Sequence, residues 1–170
     1  MSKPKIGIGN SQPKWILHIA NRPEVEGFQH DIFRTLNTAE AADIIKQTSN
    51  HWRKVFSIMA KISFALFDTQ CSTWQEYRDN KLLTDEGFEA VSFESFHQSA
   101  ATKETFSIIC GFTYAESQLD MASLISHQKF EKIKMSSRHP LMVTPYFDWR
   151  QLNNELLEVV ISILRHKLKK

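Results

Sequence analysis

A histidine followed by proline, His139-Pro140, lies between the alternating run FEKIKM and the aromatic-rich segment YFDWRQLNNELL. The pair reads as part of a strand-to-helix loop at a pocket edge, where an imidazole either meets a ligand or caps the last helix. The other histidines of the seven are scattered, and His18, inside a short apolar run, reads as a hydrogen-bonded core residue rather than a ligand. Cys71 and Cys110 are far apart and neither belongs to a CxxC pair, which argues against metal or disulfide chemistry. No GxSxG elbow, HExxH pair, phosphate loop or clustered Cys/His set occurs. Gly7-Ile8-Gly9 precedes the first apolar run instead of joining a strand to a helix, so it is no dinucleotide fingerprint. Neither a metal nor a cofactor is expected.

The elements that would position these residues follow from periodicity. Residues 1–13 carry two prolines and two glycines and read as an irregular arm. Residues 14–20, KWILHIA, stop at Asn21-Arg22-Pro23, as a buried strand ending in a turn does. Helices are predicted over 39–47 behind Thr38 and over 51–67 behind Ser49 or Asn50. In the second, Trp52, Val55, Phe56, Met59, Ile62, Leu66 and Phe67 recur at helical spacing and form a core face. Ser72 and Gln75 fit a capping box for a short helix through Trp74, Tyr77 and Leu82. Residues 88–96 alternate as a strand does, although Phe88, Val91 and Phe96 also suit a helix. A strand over 106–110, a helix over 114–126, an edge strand over 130–135, a loop over 136–147 and a helix over 148–169 complete the pattern.

Strands alternating with helices imply right-handed crossovers. The expected class is α/β, a three-layer α/β/α sandwich around a short, mostly parallel four-stranded sheet, as one domain over residues 1–170. Ligands of such sheets sit outside the carboxyl ends of the strands, which selects the loops 20–28 and 136–147.

Composition sets the bounds. With 42% hydrophobic residues, 24% charged residues and twelve phenylalanines, 170 residues suffice for a buried core. Lys+Arg 21 against Asp+Glu 19 leaves a net charge of +2, too small for a global field to attract a polyanion. Local basic groups remain: Lys3, Lys5 and Lys14; Lys129, Lys132, Lys134 and Arg138; and Arg165, Lys167, Lys169 and Lys170, the last set suiting a helix C-terminus. MSKPKIGIGNSQPK lacks the apolar core of a signal peptide, and Lys61 interrupts the most apolar helix, so a cytoplasmic chain with no membrane contact is expected.

The segment FSIICGFTYAESQLDMASLISHQKFEKIKMSSRHP, with YFDWRQLNNELL after it, resembles the C-terminal part of the uracil-DNA glycosylase superfamily over residues 104–157. The order is an apolar strand ending in Gly, a helix, a basic segment with histidine, and a strand leading into a His-Pro loop. The resemblance implies a pocket at strand ends that receives a flipped base, with DNA or a nucleobase-containing ligand as partner. It makes His139 the catalytic group that donates to negative charge on the departing base, and Asn21 the residue that positions water. It places Val143, beside Leu141 and Met142, as an apolar wedge, and Phe28 as a stacking ring. The loop reads HPLMVTP where the family has HPSPL, and Arg22 stands where one branch has its water-activating acid; a guanidinium is no general base. Arg22, Lys134 and Arg138 are then placed to contact phosphates.

Three readings follow: a base-excision enzyme, a non-catalytic relative whose Arg22 holds an anion, and a protein-interaction domain using Trp74, Tyr77, Tyr146 and Trp149.

Overall fold

The run KWILHIA becomes the axis of the sheet. In the computed structural model, which describes residues 3–28, 30–96 and 105–168, it supplies strand β2, Trp15–His18, buried at every position. Around it lie β1 (Gly7–Gly9), β3 (Phe33–Arg34), β4 (Glu89–Ser92), β5 (Phe106–Cys110), β6 (Leu124–Ser126), β7 (Lys134–Ser136) and β8 (Leu141–Thr144). The helices are α1 (Glu40–Gln47), α2 (Asn50–Leu66), α3 (Trp74–Asn80), α4 (Phe112–Gln118) and α5 (Asn154–Lys167). The sheet has eight strands in the order β3-β1-β4-β2-β5-β8-β7-β6. Its inner four, β4, β2, β5 and β8, are mutually parallel, whereas β1 pairs antiparallel with β4, and β7 with both β8 and β6.

The α/β class is therefore met with a larger, mixed sheet in place of four strands. Gly7–Gly9 forms β1, inside the segment read as an irregular arm; its glycines let β4 come close, since a Cβ on Gly7 would meet Val91 O at 2.0 Å. The fourth parallel strand is β8, in the middle of the expected 136–147 loop. Prolines bound it on both sides, and Pro140 donates nothing to the sheet but accepts from Ser107 N at 2.8 Å. Of residues 130–135 only the end joins β7. The helix expected over 114–126 stops at Gln118 because Asp120 turns its side chain onto Ala122 N and opens a 3-10 turn, Met121–Ser123, followed by β6. The last helix starts at Asn154, capped by Asn153, since Asp148 Oδ1 takes Arg150 N in a local turn. Its expected end at Lys169 lies outside the described residues. Thr73, one residue past Ser72, caps α3 by accepting from Glu76 N, and Ala39 instead of Thr38 precedes α1.

Alternation along the strands separates two cores. Trp15, Leu17, Val91, Ile108 and Met142 pack against α1, α2, α3 and α5. Ile109, Leu141 and Val143 face the other way, onto Phe96 and Ala115 of α4. The connection from β2 to β4 thus runs on one face and that from β5 to β8 on the other, as right-handed crossovers in opposite directions require.

A buried carboxylate ties the helical face to the sheet. Glu89 is fully buried and accepts from Ser63 Oγ (2.5 Å), Tyr77 OH (2.8 Å) and Leu83 N (2.9 Å). Trp15 Nε1 in turn donates to Ser63 Oγ at 3.0 Å. Burial pushes the Glu89 carboxyl above the usual carboxylate range, against the pull of these donors. Leu83 is held at φ 63, a left-handed conformation that costs a branched residue about 1–3 kcal/mol. Its amide on Glu89 and its carbonyl on Leu36 N hold it there.

His18 occupies the opposite face, with Nε2 3.0 Å from Ser107 Oγ and its ring edge-on to Phe96. Nδ1 has no partner among the described residues, and burial pushes the imidazole down to about 3 from 6.5.

Two predictions follow from these buried polar groups. The unfolded chain protonates His18 near pH 6.5 while the folded chain does not until about pH 3, so stability drops as pH falls through that window. His18→Gln, which keeps a hydrogen bond to Ser107, should lessen the loss between neutral and mildly acidic pH by on the order of 2 kcal/mol, read from urea midpoints; an unchanged pH dependence refutes it. Tyr77→Phe leaves Glu89 one donor short and Phe88 N unpaired, and should lower stability by about 1–3 kcal/mol at neutral pH.

Candidate functional site

Because the inner strands are parallel, their N-terminal ends share one end of the sheet and their carboxyl ends the other. Trp15 sits beside Phe106, and Ser107 beside Leu141. The residues just before these positions open a cleft of about 660 Å³ at the N-terminal end. Four elements build it. Lys14 enters β2 and donates its amide to Phe88 O at 2.7 Å. Phe67, at the end of α2, is stacked on Phe88 with centroids 4.5 Å apart. Ser136 Oγ accepts from Arg138 N and His139 N, each at 3.1 Å, which fixes the turn from β7 into β8. Lys167 comes from the last turn of α5, where cations answer the helix dipole.

The lining divides by chemistry. Lys14, Arg138, His139 and Lys167 bring basic groups from three parts of the chain, Ser136 and Ser137 bring hydroxyls, and among the described residues no carboxylate lines the cleft. Phe67, Phe106, Met135, Pro140, Leu141 and Leu168 give apolar surface. Cations beside apolar surface are the chemistry suited to an anion that carries an apolar body.

The carboxyl ends are organised differently. Asn21 is exposed there, after β2. Arg22 is bound to its own loop: it pairs with Asp31 at 2.7 Å, donates to Phe28 O and His30 O at 3.4 Å, and lies over the Phe93 ring. Phe28 is buried, with Arg34 over its ring 5.0 Å from the centroid. Beyond β8, Tyr146 OH and His51 Nε2 share a 2.7 Å hydrogen bond, and Phe147 N donates to Cys110 Sγ at 3.3 Å. Burial lowers His51, raises Tyr146, and pushes the Cys110 thiol up to about 12, the reverse of nucleophile activation.

The residues expected to form one pocket are therefore divided. His139 and Arg138 sit at one end of the sheet, and Asn21, Arg22 and Phe28 at the other; no joint site of Asn21 and His139 exists. The physical reason is β8, which carries the chain from one end to the other between His139 and Tyr146. Leu141, Met142 and Val143 are 0% exposed strand residues, so none is a wedge. Phe28 has no free face as a stacking ring, and Arg22 holds a carboxylate of its own chain. Among the proposed interface aromatics, Tyr77 is fully buried in the Glu89 network, while Trp149 is exposed. Lys134 turns to Ser126 Oγ at 2.9 Å. Lys14 and Lys167, ordinary members of basic groups in the sequence, gain a role only because β2 starts where α5 ends.

Among the described residues, no cluster of three or more His, Cys, Asp or Glu side chains is placed to hold a metal, and no helix is long and apolar enough to cross a membrane. The model of a family of unknown function, DUF6942, matches residues 6–165, and the chain belongs to that family. No curated protein and no solved structure matches it.

Substitution separates core from rim. Met142→Ala should lower stability by about 2–5 kcal/mol, because it empties a fully buried site, whereas His139→Ala at the half-exposed turn should stay within about 0.5 kcal/mol. Urea unfolding of both variants checks the assignment.

Proposed function

We propose that this chain binds a phosphate-bearing nucleobase ligand, nucleic acid foremost, in the cleft at the N-terminal ends of its parallel strands, and does so without hydrolysing a glycosidic bond. One observation carries the reading: Lys14, Arg138, His139 and Lys167 surround an apolar floor. Lys and Arg supply the charge that phosphates require, and Arg adds a planar fork for two oxygens. The apolar half of the lining, with the partly exposed Phe67 and Pro140, suits a flat base more than it suits a bare anion. The resemblance to uracil-DNA glycosylases supports the ligand class through His139 and Arg138. It does not extend to the reaction, because Asn21 lies at the other end of the sheet from His139, and Arg22 beside it is no general base.

Here His139 is a contact to the ligand anion, helped by the turn that Ser136 holds. The global charge of +2 is no obstacle, since a local cluster acts over about a Debye length, roughly 8 Å at physiological salt.

Binding of fluorescein-labelled oligonucleotides should weaken steeply as salt rises, and Lys14→Ala, Arg138→Ala and Lys167→Ala should each reduce the log–log slope by about 0.7–1. Anisotropy titrations over a salt series read this out. A triple variant that binds as the parent does would overturn the proposal, and release of uracil from a uracil-containing strand in single turnover would overturn its non-hydrolytic part.

A further inference from the structure

Beside the basic cleft lies a second depression of about 360 Å³, lined by Ile125, Ser126, His127, Gln128, Met135, Ser136 and Ser137. Met135, Ser136 and Ser137 line both. The end of β7 is a wall of both, so the two lie side by side, and taken together as one composite groove they reach from the N-terminal ends of the parallel strands to the outermost strand, β6. The halves differ. The first is lined by Lys14, Arg138, His139 and Lys167; among the described residues the second is lined by neither a lysine nor an arginine, although Lys134 donates to its Ser126 Oγ at 2.9 Å, and Ile125 there is 61% exposed on the sheet edge.

We infer that this groove takes an unpaired nucleic-acid strand, its phosphates held in the basic half and a neighbouring base laid on Ile125 in the apolar half. This rests on the preceding reading of the basic cleft and goes beyond it in naming the strand state of the ligand. One feature favours a single strand. The apolar surfaces, Phe67 and Pro140 in one half and Ile125 in the other, contact base faces, and a duplex keeps those faces stacked on each other. The second depression also needs a ligand longer than one nucleotide, for a mononucleotide anchored by its phosphate in the first half leaves Ile125 uncovered.

The experiment compares a labelled short oligothymidylate, a duplex of the same length and thymidine 5′-monophosphate on the full chain, with Ile125→Asp and Lys14→Ala as variants. Ile125 is exposed on an edge strand, so its replacement spares the core; a matching urea midpoint verifies this. The oligothymidylate should bind at least about tenfold tighter than the duplex, and Ile125→Asp should weaken it about tenfold while leaving the mononucleotide unchanged. Lys14→Ala should weaken both. A duplex that binds as tightly as the single strand, or an Ile125→Asp variant that binds the oligothymidylate unchanged, overturns the inference and leaves the basic-cleft reading standing. If neither nucleic acid binds and Lys14→Ala has no effect on any probe, both fall.

Discussion

A carboxylate cannot be taken out of water unless donors replace the water, and Glu89 is where this chain meets that demand. The donors come from α2 through Ser63, from α3 through Tyr77 and from the turn after α3 through Leu83, so three separate segments must converge on the first residue of β4. Trp15 extends the arrangement to β2 through Ser63. A hydrophobic face alone would allow α2 and α3 to slide along the sheet, because burial is not directional. Hydrogen bonds with fixed geometry do not, and they set where α2 ends and where the next strand begins.

The candidate cleft inherits its shape from that constraint. Phe88, next to Glu89, donates its amide to Tyr77 OH, accepts from Lys14 N and stacks on Phe67. Lys14 and Phe67 both line the cleft. The remaining wall is independent of Glu89: it depends on Ser136, whose hydroxyl gathers the amides of Arg138 and His139, and on the arrival of α5 beside β8. The apolar floor thus carries a rim of exposed cations. That division suits electrostatic capture, since exposed lysine and arginine lose little by staying hydrated until an anion arrives.

The opposite end of the sheet shows what happens when polar groups are satisfied internally. Arg22 binds Asp31 and two carbonyls, Tyr146 binds His51, Lys54 binds Asp148, and Cys110 accepts from Phe147. The usual preference of open α/β sheets for sites at carboxyl ends is a consequence of loops and helix N-termini collecting there, and in this chain those loops are spent on holding themselves together.

By itself the sequence determined the α/β class, the strands over 106–110 and within 14–20, the course of α2, and the burial of His18 as a hydrogen-bonded residue, because local periodicity and apolar runs report directly on burial. It also contained the basic groups and the His-Pro turn. Their assembly was not legible: LMVT between two prolines reads as a loop in one dimension, and only its pairing with β5 makes it a buried strand that separates His139 from Tyr146. The same holds for Glu89, whose charged side chain in an apolar run discloses nothing of donors up to 26 positions away. Tertiary structure decided which end of the sheet each loop occupies and which cations meet, since strand direction and long-range pairing are set by contacts between residues distant in the chain and leave no local trace.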